Sequence, residues 1–511
     1  MPPRLWIVRG KTMETNRCQE ALLDSAPLVR RGRRRSPVAV ASFVIGAGCL
    51  AFLSGCAVGP NYKRPAVDSP GTFRNASNQV TSNSLADLPW WDLYRDETLR
   101  SLIKVALTNN YDVRIAAARV EQARALSAQA RSQFFPVIGY QGGVGRGRNE
   151  FLGIPSPNNG RTTDAVLTVA GAAWEVDLWG RIRRLNESAK AQYLATEEVR
   201  RGVMLSLVSD LASNYFELLQ LDLQLQIAQR TVTSFEESLK MFNQRLQGGV
   251  ASRLDTSRAE GALHTTAAQV PEFKRQIALK ENQLNVLLGH NPGPIQRSAT
   301  MLQQSMPPEV PAGLPSSLLE RRPDILAAEQ QLRSANAQVG VAVANFFPQL
   351  ELTALAGKVS PELSAFTAGT ANAWSIAANL TGPLFQGGAL RAQYRQAKAA
   401  WEQAKLQYQA TALGAFQDVS DALISRENFA AARSEFEGAV TAYQESVRLS
   451  TQRYAAGQAS YFEVLEAQLL LFPAESSLAT VQFNQLQVIV QLYRALGGGW
   501  NLDNATFTSG K

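Results

Sequence analysis

Two long stretches of the chain place an apolar residue at every third or fourth position with no proline to interrupt them. In the first, Gly180 to Gln247, the positions Met204, Leu207, Leu211, Asn214, Leu218, Leu221, Leu225, Ala228, Val232, Phe235, Leu239, Phe242 and Leu246 step by alternating three and four. Only Asn214 breaks the seam. A sustained average of 3.5 winds helices into a left-handed supercoil. The second stretch, Gly388 to Ala455, repeats the end of that seam with Phe436, Val440, Tyr443, Val447, Ser450 and Tyr454. At about 1.5 Å per residue each helix is roughly 100 Å long. After each comes a turn and a shorter returning helix, Ser252 to Leu288 and Ser460 to Leu496.

Ahead of each long helix the period shifts. Helical stretches rich in Ala, Arg and Gln, Val113 to Gln133 and Ile325 to Asn345, run into Phe134-Phe135-Pro136 and Phe346-Phe347-Pro348, where proline cannot continue a helix. Two strand-like segments follow each stop: Val137 to Val144 and Ala165 to Leu178, then Gln349 to Ala356 and Ala373 to Leu380. In the last, Trp374, Ile376, Ala378 and Leu380 alternate with Ser375, Ala377, Asn379 and Thr381, the period of two expected where one strand face meets lipid or core. Gly- and Pro-rich loops, Gly145 to Thr163 and Gly357 to Thr370, separate the strands of each pair.

The two halves match each other. Phe134-Phe135-Pro136 and Asp112 recur as Phe346-Phe347-Pro348 and Asp324 at an offset of 212, and Gln244-Arg245, Gly249, Ser252 and Asp255 correspond to Gln452-Arg453, Gly457, Ser460 and Glu463 at 208. That interval is far longer than a solenoid unit, so the chain is a duplicated half-molecule. The expected fold is mostly α, with four strands and long coiled helices per chain. Its parts are an export signal (1–55), an N-terminal segment (56–95), a first repeat (96–290), a Pro-rich connector (291–322), a second repeat (323–498) and a tail (499–511). Four strands cannot close a barrel, since the smallest spanning barrels use about eight. An open edge in lipid leaves backbone groups unpaired, so the strands must be completed by other copies or kept out of the membrane. Two or three copies supply eight or twelve strands, and strand number alone does not choose.

The net charge of +8 would point to nucleic acid if it were spread along the chain. Residues 1–55 hold nine of the Arg/Lys and three of the Asp/Glu, which is +6 of the total. No basic stripe with interleaved aromatics follows, and no nucleic-acid partner is expected. Arg30 to Arg35, the apolar run Val38 to Phe52 and Leu53-Ser54-Gly55-Cys56 have the order of an export signal, too short to span a bilayer permanently. Cys18 and Cys49 lie inside it, leaving Cys56 as the single thiol beyond the signal. His264 and His290 lack ligand spacing to any cysteine, and neither a P-loop nor a nucleophile elbow is present. Enzyme activity, a cofactor and a metal are therefore not expected.

Several separated motifs carry a resemblance. Cys56-Ala-Val-Gly-Pro-Asn-Tyr-Lys-Arg-Pro65, Trp174-Glu-Val-Asp-Leu-Trp-Gly-Arg181, Leu314-Pro-Ser-Ser-Leu-Leu-Glu-Arg-Arg-Pro-Asp-Ile325, Pro383-Leu-Phe-Gln-Gly-Gly388 and Leu492-Tyr-Arg-Ala-Leu-Gly-Gly-Gly-Trp500 occur in that order. The chain resembles the TolC-like outer-membrane efflux channel lipoproteins, the group that includes OprM and nodulation-type efflux subunits. The resemblance implies a homotrimer with a twelve-stranded barrel in the cell outer membrane, a twelve-helix tunnel in the periplasm and an equatorial belt around it. Such a trimer is a passive conduit for small molecules, drugs or other toxic compounds, supplied by a periplasmic adaptor (membrane fusion) protein and a proton-driven inner-membrane pump. Leu53-Ser54-Gly55-Cys56 is similar to a lipobox, which implies cleavage before Cys56 and acylation of that residue. Ala57, rather than Asp, then directs the lipoprotein to the outer membrane.

The turns Arg245 to Ser252 and Arg453 to Ser460 draw attention on their own chemistry. Gly249 and Gly457 suit the left-handed ends of helices, and Ser252 and Ser460 suit N-caps of the returning ones. In the resembling family these turns are the periplasmic tips on which adaptor hairpins dock. Glu463 and Glu466 lie three apart on one helical face and match acidic positions that line the closed entrance in that family. In a trimer they form rings of three carboxylates that favour cations. Asp255, accepting a hydrogen bond from Tyr454, is expected to help latch the tips, although Ala459 stands where some relatives carry an assisting arginine. Two other readings are an exit channel for protein secretion and a coiled-coil structural lipoprotein without a pore. Lipidation and the Gly-Pro-Asn-Tyr start favour small-molecule efflux over the first, and the strands weigh against the second. Mass spectrometry of the mature N-terminus is expected to find acylated Cys56, and Cys56→Ser is expected to lose the anchor; an unmodified Cys56 or a cut elsewhere contradicts this.

Overall fold

The structure, a computed structural model, describes residues 57–74, 85–151, 154–155, 160, 162–250, 252–304, 315–360, 366 and 371–498. Cys56, part of the connector and the 499–511 tail lie outside the described residues. The first half contains α1 (Glu97–Asn109), α2 (Tyr111–Ser132), β1 (Val137–Arg148), β2 (Thr162–Val176), α3 (Arg181–Gln247), α4 (Arg253–Ala267) and α5 (Gln269–Leu288). The second contains α6 (Pro323–Ala344), β3 (Gln349–Ser360), β4 (Asn372–Thr381), α7 (Ala389–Ala455) and α8 (Tyr461–Ala495).

α3 and α7 are each 67 residues long, and the seam predicted for α3 faces inward. Leu211, Leu218, Ala228, Phe235 and Phe242 are buried. Asn214 is satisfied rather than disruptive: its amide donates to the Asp210 carbonyl at 2.6 Å, and its oxygen accepts from Lys280 on α5 at 3.1 Å. α7 is barer, with Leu406, Leu413 and Leu449 exposed along it. The main core surrounds the middle of α3, where Leu99 and Ile103 of α1 and Tyr215, Leu284, Ile325, Tyr408 and Leu492 come together.

The returning helix predicted as one piece, Ser252 to Leu288, is two. Pro271 lacks an N–H and its ring clashes with the carbonyl four residues back, and α4 ends at that residue, Ala267. Pro473 is accommodated inside the continuous α8.

The four strands form one antiparallel sheet in the order β1-β2-β3-β4, so β1 and β4 are its edges. Three strands outrun their predicted C-terminal ends, and β2 starts three residues early, at Thr162. Gly145 to Arg148, expected in a loop, pair with Ala165 to Thr162, and Gly357 to Ser360 join β3. β2 instead stops early, at Val176, because Asp177 turns to cap α3. Its carboxylate accepts from the Ile182 and Arg183 N–H groups at 3.0 and 2.9 Å, which otherwise have no partner at a helix start. Gly180 (φ 79°) and Gly388 (φ 89°) take the left-handed conformation that turns each strand exit into a long helix.

The registers place Ile138, Tyr140 and Val144 on the same face as Trp174, Leu350, Leu352, Trp374, Ile376 and Leu380. The other face carries Gly139, Gln141, Gly143, Glu175, Glu351, Thr353, Ser375 and Asn379. No described helix packs over Tyr140, Ile376 and Trp374 on the apolar face, and all three are largely exposed.

Residues 57–65 form a strap across the start of α3 and the side of α6. Val58 donates to the Trp179 carbonyl at 3.0 Å. The buried Arg184 reaches the Val58 and Gly59 carbonyls and the Asn61 side chain, and Asn336 donates to the Pro60 carbonyl. Arg64 grips the buried Glu329 through two hydrogen bonds of 2.8 and 2.5 Å, and the Tyr62 hydroxyl donates to the same carboxylate at 3.1 Å. Burial, followed by the Glu329 charge, pushes the Tyr62 phenol well above its ordinary range. Gly59 passes so close to Gly340 that a Cβ there would lie 2.5 Å from the Gly340 Cα. Glu329→Ala leaves Arg64 and Tyr62 without their acceptor and is expected to cost about 2 kcal/mol, since breaking a half-buried pair costs less than breaking a fully buried one. Limited trypsin digestion should then cut faster after Lys63; an unchanged cleavage rate contradicts the strap.

Candidate functional site

The two turns at the far end of the long helices close in the same way. Gly249 (φ 72°) and Gly457 (φ 71°) are left-handed, and the next residues, Val250 and Gln458, donate back to the Arg245 and Arg453 carbonyls at 2.9 Å. A Cβ on either glycine would meet nothing within 4 Å, so the glycines answer to backbone conformation, and the space beside both turns is open. The helix starts differ. Ser252 caps α4 in a full capping box with Asp255, whereas Ser460 occupies the N-cap of α8 without a side-chain hydrogen bond.

Just inside the turns lies a second, separate core that joins the two hairpins. Phe242 of α3 meets Tyr461 of α8 edge to face at 4.3 Å, and Tyr454 of α7 meets the same ring at 5.1 Å. Ala259, Ala262, Val464 and Leu465 fill the space around them. The Arg245 guanidinium sits 4.4 Å from the centre of the Tyr454 ring, within cation–π range. Sequence reading missed this cluster, although aromatic residues flanking the second turn at Tyr454 and Tyr461 were its signal.

The expected Tyr454 to Asp255 latch is not formed within the chain. The Asp255 carboxylate is taken by Ser252, whose hydroxyl donates to it at 2.7 Å. The Tyr454 hydroxyl is buried without a hydrogen-bond partner among the described residues. The ring, not the hydroxyl, joins the tips. Glu463 is paired with Arg453 across the turn at 2.8 Å, a partner the sequence reading did not assign. Glu466, one helical turn on, is exposed and has no ion pair among the described residues. His264 and His290 are both exposed, on α4 and just beyond α5.

No described helix is long and apolar enough to cross a membrane. The sheet has one face rich in large apolar side chains, an opposite face rich in glycine and polar residues, and two open edges, and it runs directly into two helices roughly 100 Å long. Those features define a subunit of a membrane channel in which a β-barrel continues as a helical tunnel. The outer membrane efflux protein family matches the chain over residues 102–290 and 314–498. The chain is 36% identical to the solvent efflux pump outer membrane protein SrpC of Pseudomonas putida over 463 residues, covering 89% of this chain and 97% of SrpC. It is 31% identical to the cation efflux system protein CusC of Escherichia coli O6:H1 over 460 residues, covering 88% of this chain and 98% of CusC. The open-state structure of the MtrE outer membrane channel of Neisseria gonorrhoeae superposes with a TM-score of 0.79 at 30% identity, covering 87% of this chain and 98% of MtrE. The chain belongs to the outer membrane efflux protein family, and its function is that of an outer-membrane channel of an efflux pump.

Because the tips are joined by rings and not by the Tyr454 hydroxyl, Tyr454→Phe should leave the closed state unchanged or slightly tighter. Tyr454→Ala and Phe242→Ala each remove a buried ring, at roughly 3 kcal/mol, and should raise the open fraction in bilayer recordings. Opening by Tyr454→Phe would restore the hydroxyl latch.

Proposed function

We propose that three copies of this chain form a passive conduit for small molecules, anchored to the outer membrane by acylated Cys56. Its tips at Gly249, Ser252, Gly457 and Ser460 dock on a periplasmic adaptor, which receives cargo from a proton-driven inner-membrane pump. The observation that carries this reading is the four-stranded sheet with an apolar face and two open edges. Three copies bring twelve strands, enough for a closed barrel with no edge left in lipid. The bare side of α7 supports the same arrangement, since its exposed leucines need a neighbour. The open space beside both glycine turns supports docking of a partner's helical hairpin there.

Relatives named for a solvent pump and for a cation system match this chain over similar lengths. One channel architecture thus serves different cargo, which supports selection by the adaptor and pump and not by this subunit. The charge at the mouth acts on ions. Glu466 brings three unpaired carboxylates to the trimer's entrance, whereas Arg453 already offsets Glu463.

Single-channel recording of the purified protein in a planar bilayer tests the reading. Wild type should conduct with a cation preference that Glu466→Gln lowers roughly twofold, and Glu463→Gln by less. An absence of channel events from the assembled protein would return it to a structural stalk. Unchanged selectivity in Glu466→Gln would place that residue outside the mouth.

A further inference from the structure

The internal repeat supplies a template for contact between copies. Inside the chain the halves meet along β2 and β3, with Val176 opposite Leu350, Ala172 opposite Ala354 and Ala170 opposite Ala356. At the strand-to-helix corner just beyond, Trp179 stacks on Phe347 with ring centroids 4.6 Å apart and donates its indole N–H to the Pro348 carbonyl at 2.8 Å. The strap adds to this corner, where a Cβ on Gly180 would lie 2.6 Å from Ala57.

The outer sides of the chain carry apolar residues at the equivalent corner, uncovered: the 208 offset places Gly387 at the Trp179 position, and the nearest ring is Phe385, two residues before it. The corner after β4 presents Leu384, fully exposed, and Phe385, 89% exposed, and a Cβ on Gly387 or Gly388 would meet nothing within 4 Å. The first half's counterpart of the Phe347 site is Phe135, 62% exposed, with Ile138 bare beside it. Both positions adjoin the open edges, β4 and β1.

We propose that Leu384 and Phe385 of one copy close over Ile138 and Phe135 of the next, forming between subunits an apolar corner at the place where Trp179 meets Phe347 inside the chain. The occupant of this apolar patch is a second copy of the chain, so the proposal rests on the oligomeric reading above. The repeat also sets the strand register. Val137 pairs with Ala173 and Gln349 with Thr381, so the halves superpose by 212 residues at the first strand and 208 at the second, as in the sequence. Applied to the β2–β3 pairing, these shifts put Leu384 opposite Ile138, Leu380 opposite Gly142 and Ala378 opposite Val144 of the neighbouring copy. This register keeps the apolar faces of the two sheets continuous, whereas a slip by one residue would turn one of them into the lumen. Aromatic residues also settle at membrane–water boundaries, so lipid is the competing cover.

The test uses the full chain in outer-membrane vesicles, with Phe135→Cys/Phe385→Cys and Gly142→Cys/Leu380→Cys double variants treated with a short bismaleimide. A native gel of the same preparations reports the oligomer independently of any cross-link. Expected are linked dimers and trimers from both double variants and none from the single ones. Phe385→Ala should also lower the temperature at which the oligomer dissociates in detergent while monomer helix content stays the same. An intact oligomer on the native gel that links at neither pair, or at the strand pair alone, overturns the clasp and leaves the oligomeric reading standing. In the latter case quenching of a fluorophore on F385C by nitroxide lipid would assign the patch to lipid. Absence of an oligomer on the native gel overturns the oligomeric reading, and the clasp with it.

Discussion

Backbone N–H and C=O groups along the outer edges of β1 and β4 have no partner within the four-stranded sheet, and in a hydrocarbon layer each such group costs several kcal/mol. An apolar sheet face that fits lipid therefore brings with it an obligation to pair both edges, and only further copies of the chain can meet it in full. The single-layer sheet, the bare flank of α7 and the exposed corner at Leu384 and Phe385 are consequences of the same obligation. Each is incomplete in one chain and complete in a ring.

Duplication lets one solution be used twice. α3, in the middle of the chain, is enclosed by α2, α5, α6 and α8 and holds most of the buried seam, while α7, at the outer side, keeps apolar residues in the open. The tips follow another logic. There the two hairpins are joined inside each chain by Phe242, Tyr454 and Tyr461, a small core far from the main one. A separate core of this kind can loosen without disturbing the main one, which suits the entrance proposed at the tips.

Much of this was legible from periodicity. The ends of α3 and α7 follow from the 3.5 repeat and the glycines that bound it, because long helices with a regular seam leave little freedom. Strand ends were less legible: Gly145 to Arg148 read as a loop by composition yet pair in β1, where partners across the sheet, not local propensity, decide. Asp177 read as strand because capping of α3 is a choice made in three dimensions. The tip positions were visible as a repeated motif, but the partners were not. Asp255 turned to its own neighbour Ser252, the nearest donor, and Tyr454 turned its ring to Arg245. The grip of Arg64 on Glu329 joins residues 265 apart, and no spacing in the chain foretells it.

The central claim is that the edges of the sheet are closed by exactly two further copies. Native mass spectrometry of the protein released from outer membranes in mild detergent tests it most directly. The account predicts a dominant species of three mature chains, carrying twelve strands. A dominant species of one chain, or of two chains with eight strands, would contradict it.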